Sequence, residues 1–194
     1  MSKTRLEAFT DAVVAIVMTI LVLELQTPES ASFGGLWELR MQFFTYLVSF
    51  ATLAIYWNNH HHLFQASTRV SGKVLWWNVA LIFCLSLIPF TTAWMSEHAS
   101  GRAPELLYGS VILATNLTWL CLARVLVQVN GPDSTIAQSM RTGGHRKSYL
   151  SVGVVAVGIA IGVAVPMAVL IACLLSLLPW AIPDQDIERR LNRA

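Results

Sequence analysis

Six runs of apolar residues order this chain from end to end: Leu6 to Leu25, Leu36 to Trp57, Val74 to Met95, Leu106 to Val129, Tyr149 to Val165 and Met167 to Ile182. Most approach the roughly 20 apolar residues that carry an α-helix across a bilayer. The last two are short, and only Pro166 separates them. Read as one helix, Tyr149 to Ile182 would be 34 residues, about 51 Å at 1.5 Å per residue, too long for a single crossing of a core about 30 Å thick. Two short helices meeting at a tight turn are therefore expected. The connections carry turn chemistry: Pro28, Gly34 and Gly35, then Ser71 and Gly72, Gly101 and Pro104, and Gly131, Pro132, Gly143 and Gly144. The pattern predicts an all-α, polytopic membrane protein with six transmembrane helices at about 6–25, 36–62, 73–95, 105–129, 147–165 and 167–183, forming one domain over 1–194.

Composition agrees with the pattern. The 194 residues are 55% hydrophobic and 12% charged, too apolar for an ordinary soluble domain, and six spans would leave only short loops. The net charge of +2 comes from bases at helix ends, not from a basic run, which speaks against nucleic acid as a partner. Cys84, Cys121 and Cys173 all lie in apolar runs without CxxC spacing, and read as packing residues. The basic start, Met1 to Arg5, precedes an apolar run as a signal peptide would. Asp11 interrupts that run early and no small-residue cleavage site follows, so a retained first helix is expected. HExxH, GxSxG and paired intramembrane carboxylates are absent, so an enzyme is not indicated, and no cofactor or resident metal is expected.

Lysine and arginine orient the helices, because cytoplasmic loops are enriched in them. Of the 13, Lys3, Arg5, Arg69, Lys73, Arg124, Arg141, Arg146, Lys147, Arg189, Arg190 and Arg193 fall on one side of a six-helix arrangement, and only Arg40 and Arg102 on the other. That bias predicts both termini in the cytoplasm of a multi-pass plasma-membrane protein. The opposite face holds Glu24, Glu29, Glu38, Glu97 and Glu105, a mildly acidic surface that would concentrate cations. No inverted repeat of the transporter kind is visible, so any pathway must come from one six-helix unit or from copies of it. Gly158 and Gly162 form a GxxxG pair that lets two helices approach closely, and is a candidate dimer contact.

Ionisable groups inside spans are costly and therefore informative. Asp11 sits about one and a half turns inside the first helix, ahead of the uncharged stretch Ala12 to Leu23. It reads either as a proton or cation site or as a buried carboxylate bonded to a neighbouring helix. His60, His61 and His62 follow Trp57, Asn58 and Asn59 near the cytoplasmic end of the second helix. Adjacent helical side chains point about 100° apart, so the three cannot ligate one metal without unwinding. One or two of them are expected to face the bundle and bond to Asp11 or to a backbone carbonyl.

Arg5, Phe9, Thr10 and Asp11 read RxxxFTD, and RLEAFTDAVVAIVMTILVLEL closely resembles the first helix of the transmembrane protein 175 potassium channels, whose hallmark is RxxxFSD. Trp57 with His60, His61 and Phe64 looks like that family's second-helix pattern, and Asn78 to Pro89 and Phe90 is similar to its third. Thr10 stands where the family usually has serine and keeps the hydroxyl. The resemblance implies a potassium-favouring cation channel without the TVGYG filter, and Tyr108–Gly109 is only an isolated pair. It further implies a homotetramer around the first helices, with hydrophobic constrictions from first-helix side chains: Ile16 innermost, Thr19 and Leu23 outward, and Ile20 depending on helix rotation. Glu24 and Glu29 would then form an outer vestibule.

The helical wheel agrees independently. Ile16, Thr19 and Leu23 share one face, whereas Asp11 points about 140° from Ile16, into protein. Arg5, Thr10 and Asp11 are then expected to bond to neighbouring helices as a structural lock. Ordinary helix packing by the same stripe remains open on periodicity alone, as does a bond from Thr19 back to the carbonyl of Ala15. The rival function is a proton- or cation-coupled carrier using Asp11 and a second-helix histidine as relay.

Overall fold

A computed structural model describes residues 2–98 and 101–181. Among the described residues there are helices and no strands: α1 (Lys3–Leu23), α2 (Phe33–Glu38), α3 (Arg40–Gln65), α4 (Gly72–Ser86), α5 (Ile88–Glu97), α6 (Arg102–Asn130), α7 (Thr135–Ser139), a π-helical turn (Met140–Gly144), α8 (His145–Gly162) and α9 (Met167–Ala181). The bases Arg189, Arg190 and Arg193 and the expected end of the last helix lie outside the described residues.

Local chemistry sets several ends. Ser2 caps α1, its hydroxyl accepting from the Arg5 amide, and Ser71 caps α4 in the same way through Val74. Pro89 lies in the first turn of α5. Lacking an N–H and crowding the carbonyl four residues earlier, it breaks the third apolar run at Leu87 into α4 and α5. Gly131, with φ 92°, closes α6 in a conformation that residues with a Cβ rarely adopt. The segment 135–144 is helical, where the sequence indicated only a connection.

Among the described residues, three helical bodies are long and apolar enough to cross a membrane: Lys3–Leu23, Gly72–Glu97 and Arg102–Asn130. α9 is apolar but shorter. At 26 residues, α3 is about 39 Å long, yet it falls short in hydropathy because one face is polar from end to end. Gln42, Thr45, Ser49 and Thr52 are all buried along it, at spacings of three and four.

α6 is the centre of the subunit, packing against α4, α5, α8 and α9. α1 lies at one edge against α3, α4 and α5, and the α8–α9 hairpin forms another. Leu6, Val14, Val17 and Leu21 carry α1 into the core. Cys84 and Cys173 are buried free thiols, and Cys121 is half-buried.

The GxxxG pair is used inside the chain. A Cβ on Gly158 would stand 2.1 Å from the Ala172 Cβ, and one on Gly162 would stand 2.3 Å from a Val169 methyl. Both glycines face α9 of the same subunit, so they are not the dimer contact that their spacing suggested. Gly158→Val is expected to push α8 off α9 and cost about 1–3 kcal/mol. Thermal unfolding followed by size-exclusion chromatography should show a lower midpoint for this variant than for Gly153→Ala, whose Cβ meets nothing within 4 Å.

Candidate functional site

Two features of α1 form the candidate site, one on each of its faces. On the inner face, Thr10 is 1% exposed. Its hydroxyl donates to the Leu6 carbonyl at 2.9 Å and accepts from Asn78 Nδ2 of α4 at 2.8 Å. With the Asn78 amide nitrogen so committed, its Oδ1 accepts from His60 Nε2 of α3 at 2.8 Å. The directions are thereby fixed: His60 to Asn78 to Thr10 to a backbone carbonyl, three helices joined through buried groups. His60 stacks on Phe64 with centroids 4.3 Å apart, holding the ring in place. One residue along α1, half-buried Asp11 accepts from Trp57 Nε1 at 3.0 Å.

The histidine arrangement differs from the sequence expectation. His60 takes an amide, not Asp11, and Asp11 takes an indole. His61 turns outward to Gln65, at 2.8 Å. The cause is rotation along α3: Trp57 and His61 lie one turn apart on the exposed side, while His60, turned about 60° from Trp57 and about 100° from His61, faces α4. Arg5 is also placed differently. Its backbone amide bonds to Ser2, but its side chain is exposed and makes no hydrogen bond among the described residues, so within this chain it does not join the lock. Phe9 is likewise about half exposed.

On the outer face, Ile16 is 57% and Leu23 is 79% exposed, and Ile20 and Thr19 accompany them. Thr19 donates to the carbonyl of Ile16 at 2.7 Å, not to that of Ala15. Arg5, Phe9, Ala12, Ile16, Thr19 and Leu23 are all exposed and spaced 4, 3, 4, 3, 4. The average of about 3.6 residues is one turn of an α-helix, so all six side chains share one face. Glu24 and Glu29 are exposed beyond the end of α1, close in sequence to Gln26, which bonds to Glu97.

Glu105 departs from its expected place on the acidic outer surface. It is 1% exposed in the first turn of α6, and its Oε2 has no hydrogen-bond partner among the described residues. It is therefore not part of that exposed surface.

A second buried relay was not foreseen. Thr92 donates to the Ile88 carbonyl, which leaves its oxygen to accept from Ser49, and Ser49 to accept from Tyr108. Nearby, the Tyr56 hydroxyl donates to Asn116 Oδ1 at 2.8 Å. These pairs are 43 to 60 residues apart in the chain. The only signal in the sequence was the polar 3–4 repeat on an otherwise apolar α3.

Known proteins share this arrangement of sequence and helices. The family profile described as endosomal/lysosomal potassium channel TMEM175 matches residues 5–89, the span holding α1, α3, α4 and their bonds. A potassium channel of Chryseobacterium sp. (strain P1-3) is 38% identical over 191 residues, covering 98% of both chains. An endosomal/lysosomal proton channel TMEM175 of Mus musculus is 40% identical over 117 residues, which cover 54% of this chain and 23% of the longer protein. In fold, the chain matches the crystal structure of a lysosomal potassium-selective channel TMEM175 homologue from Chamaesiphon minutus, with a TM-score of 0.80 at 24% identity, over 92% of this chain and 96% of that one.

Proposed function

This chain belongs to the TMEM175 family of ion channels, and from that premise we propose that it is a potassium-favouring cation channel whose pore is lined by α1. The subunit crosses the membrane six times, through α1, α3, the α4–α5 pair, α6, α8 and α9. Four copies surround the pore in the plasma membrane, with both termini in the cytoplasm.

The observation that carries the reading is the outer stripe of α1. Ile16, Thr19, Ile20 and Leu23 are exposed on a helix whose opposite face is buried in its own subunit. They share one face of the helix at its own repeat of about 3.6 residues. One α1 cannot enclose a bore, so a pore on this face requires copies arranged about an axis. Potassium is the permeant ion, and the proposal includes neither a cofactor nor a resident metal. Isoleucine rings at Ile16 deny water its hydrogen bonds and a cation its hydration, so the narrow state is closed to ions and conduction requires the ring to widen. Glu24 and Glu29 then attract cations at the outer mouth. Asp11 and Trp57, with the His60–Asn78–Thr10 chain, hold α1 against α3 and α4 and so aim the stripe at the axis. The carrier alternative gains nothing from this geometry, since Asp11 and His60 bond to separate partners.

Flux from purified protein in potassium-loaded liposomes tests the proposal. Potassium efflux is expected without any proton gradient, with the driving force vanishing at the potassium equilibrium potential. Flux that saturates and stops when the proton gradient is removed would assign a coupled carrier instead.

A further inference from the structure

The α8–α9 hairpin leaves an open groove of about 560 Å³ along the surface of the subunit. Tyr149, Val157 and Ile161 of α8 face Ile171, Ala172 and Leu175 of α9 across it. Gly158 meets Ala172 at its floor, and nothing lies within 4 Å of where a Gly153 Cβ would stand, so the groove is open at that level. From Tyr149 to Ile161 it runs twelve residues along α8, about 18 Å, close to the depth of one leaflet of a hydrocarbon core about 30 Å thick.

The chemistry changes at the Tyr149 end. Arg124 of α6 donates to the Tyr149 hydroxyl and lies 5.6 Å from the centre of its ring. Arg146 is exposed at the start of α8, and Arg141 in the π-helical turn is exposed as well. Between residues 134 and 181 the chain has no aspartate or glutamate. The positive charge here is that of the arginines and Lys147.

We propose that this groove binds an anionic phospholipid, with an acyl chain lying between α8 and α9 and the phosphate held by Arg124 and Arg146. Arginine presents a planar fork of donors suited to phosphate oxygens, and a basic pocket at one membrane face selects anionic headgroups. A second copy of the chain is the poorer occupant, because it would bring the same cluster of positive charge to the same end. The inference rests on the membrane-spanning reading but not on which ion the protein conducts.

Native mass spectrometry of the detergent-solubilised oligomer, incubated with phosphatidylglycerol or phosphatidylcholine, tests it without reference to flux. Wild-type protein is expected to retain one phosphatidylglycerol per subunit and to release phosphatidylcholine. Arg124→Gln should weaken phosphatidylglycerol retention at least fivefold, and Gly153→Leu, which fills open space, should lower retention while leaving the oligomer intact. Equal retention of the two lipids, or unchanged retention in both variants, would overturn the proposal. So would dissociation of the oligomer by Gly153→Leu, which would make the groove a contact between subunits.

Discussion

Ile16→Asn is expected to raise potassium efflux at least tenfold and to erode the preference for potassium over sodium. Ile16 is the first large apolar side chain on the exposed stripe beyond Phe9. In a symmetric assembly it would form a ring in which a cation loses hydration without compensation. An asparagine ring supplies carbonyl and amide groups at the same radius, and lowering the barrier by about 1.4 kcal/mol is enough for a tenfold change in rate. The partner experiment uses Val17, one residue along and 4% exposed. Val17→Asn buries an amide in the core and should lower the yield of folded oligomer with no gain in flux. The contrast between neighbouring positions separates a pore face from general sensitivity of the helix. Equal flux for wild type and Ile16→Asn, in oligomers of equal amount, would remove Ile16 from the pore.

Asn78→Leu is expected to be the most damaging of these changes to assembly, more so than loss of the Thr10 hydroxyl or of the Trp57 indole N–H. Asn78 is fully buried and links His60 to Thr10. Leucine ends both bonds. Thr10 keeps its bond to Leu6, but His60 Nε2 loses its partner in a 2%-exposed position. An orphaned buried polar group costs about 1–3 kcal/mol. Interhelical bonds in membranes average about 0.6 kcal/mol, with a maximum near 1.7. The stranded imidazole places this case toward the upper end, about 2–3 kcal/mol in all. Trp57→Phe removes one bond from a half-buried carboxylate and should cost about 1 kcal/mol. Thermal midpoints and the fraction of intact oligomer, read by size exclusion, are expected in the order wild type, Trp57→Phe, Asn78→Leu. Whatever fraction of Asn78→Leu still assembles should keep its ion preference. A well-assembled Asn78→Leu channel with altered selectivity would show that the chain of bonds belongs to the pore and is not a lock behind it.

The helical reading was legible because it depends on neighbours in the chain. Apolar runs of about 20 residues, glycine and proline at their ends and a 3–4 stripe on the first helix are local properties. They also located Asp11 on the face away from Ile16. Its partner was less legible. Histidine was the expected ligand, and the structure places an indole there, because a rotation of 100° per residue along α3 decides which of Trp57, His60 and His61 meets α1. Glu105 failed for a related reason. Its position near a helix start suggested an exposed acid, but α6 runs through the middle of the subunit and its buried face begins at Pro104 and Glu105, while Arg102 and Ala103 stay exposed.

By itself the sequence determined the helical class, the membrane-spanning character, the likeness to a channel family and the stripe of Ile16, Thr19, Ile20 and Leu23. Tertiary structure alone decided that Asn78 closes the bond between α1 and α3, that Tyr108 is linked to Thr92 through Ser49, and that Gly158 and Gly162 serve the α8–α9 hairpin instead of a dimer. Periodicity reports which side of a helix is apolar, since that follows from spacing within one segment. A hydrogen bond between residues 18 to 68 positions apart depends on the relative register and rotation of two helices, which packing of the whole subunit sets and no single segment encodes.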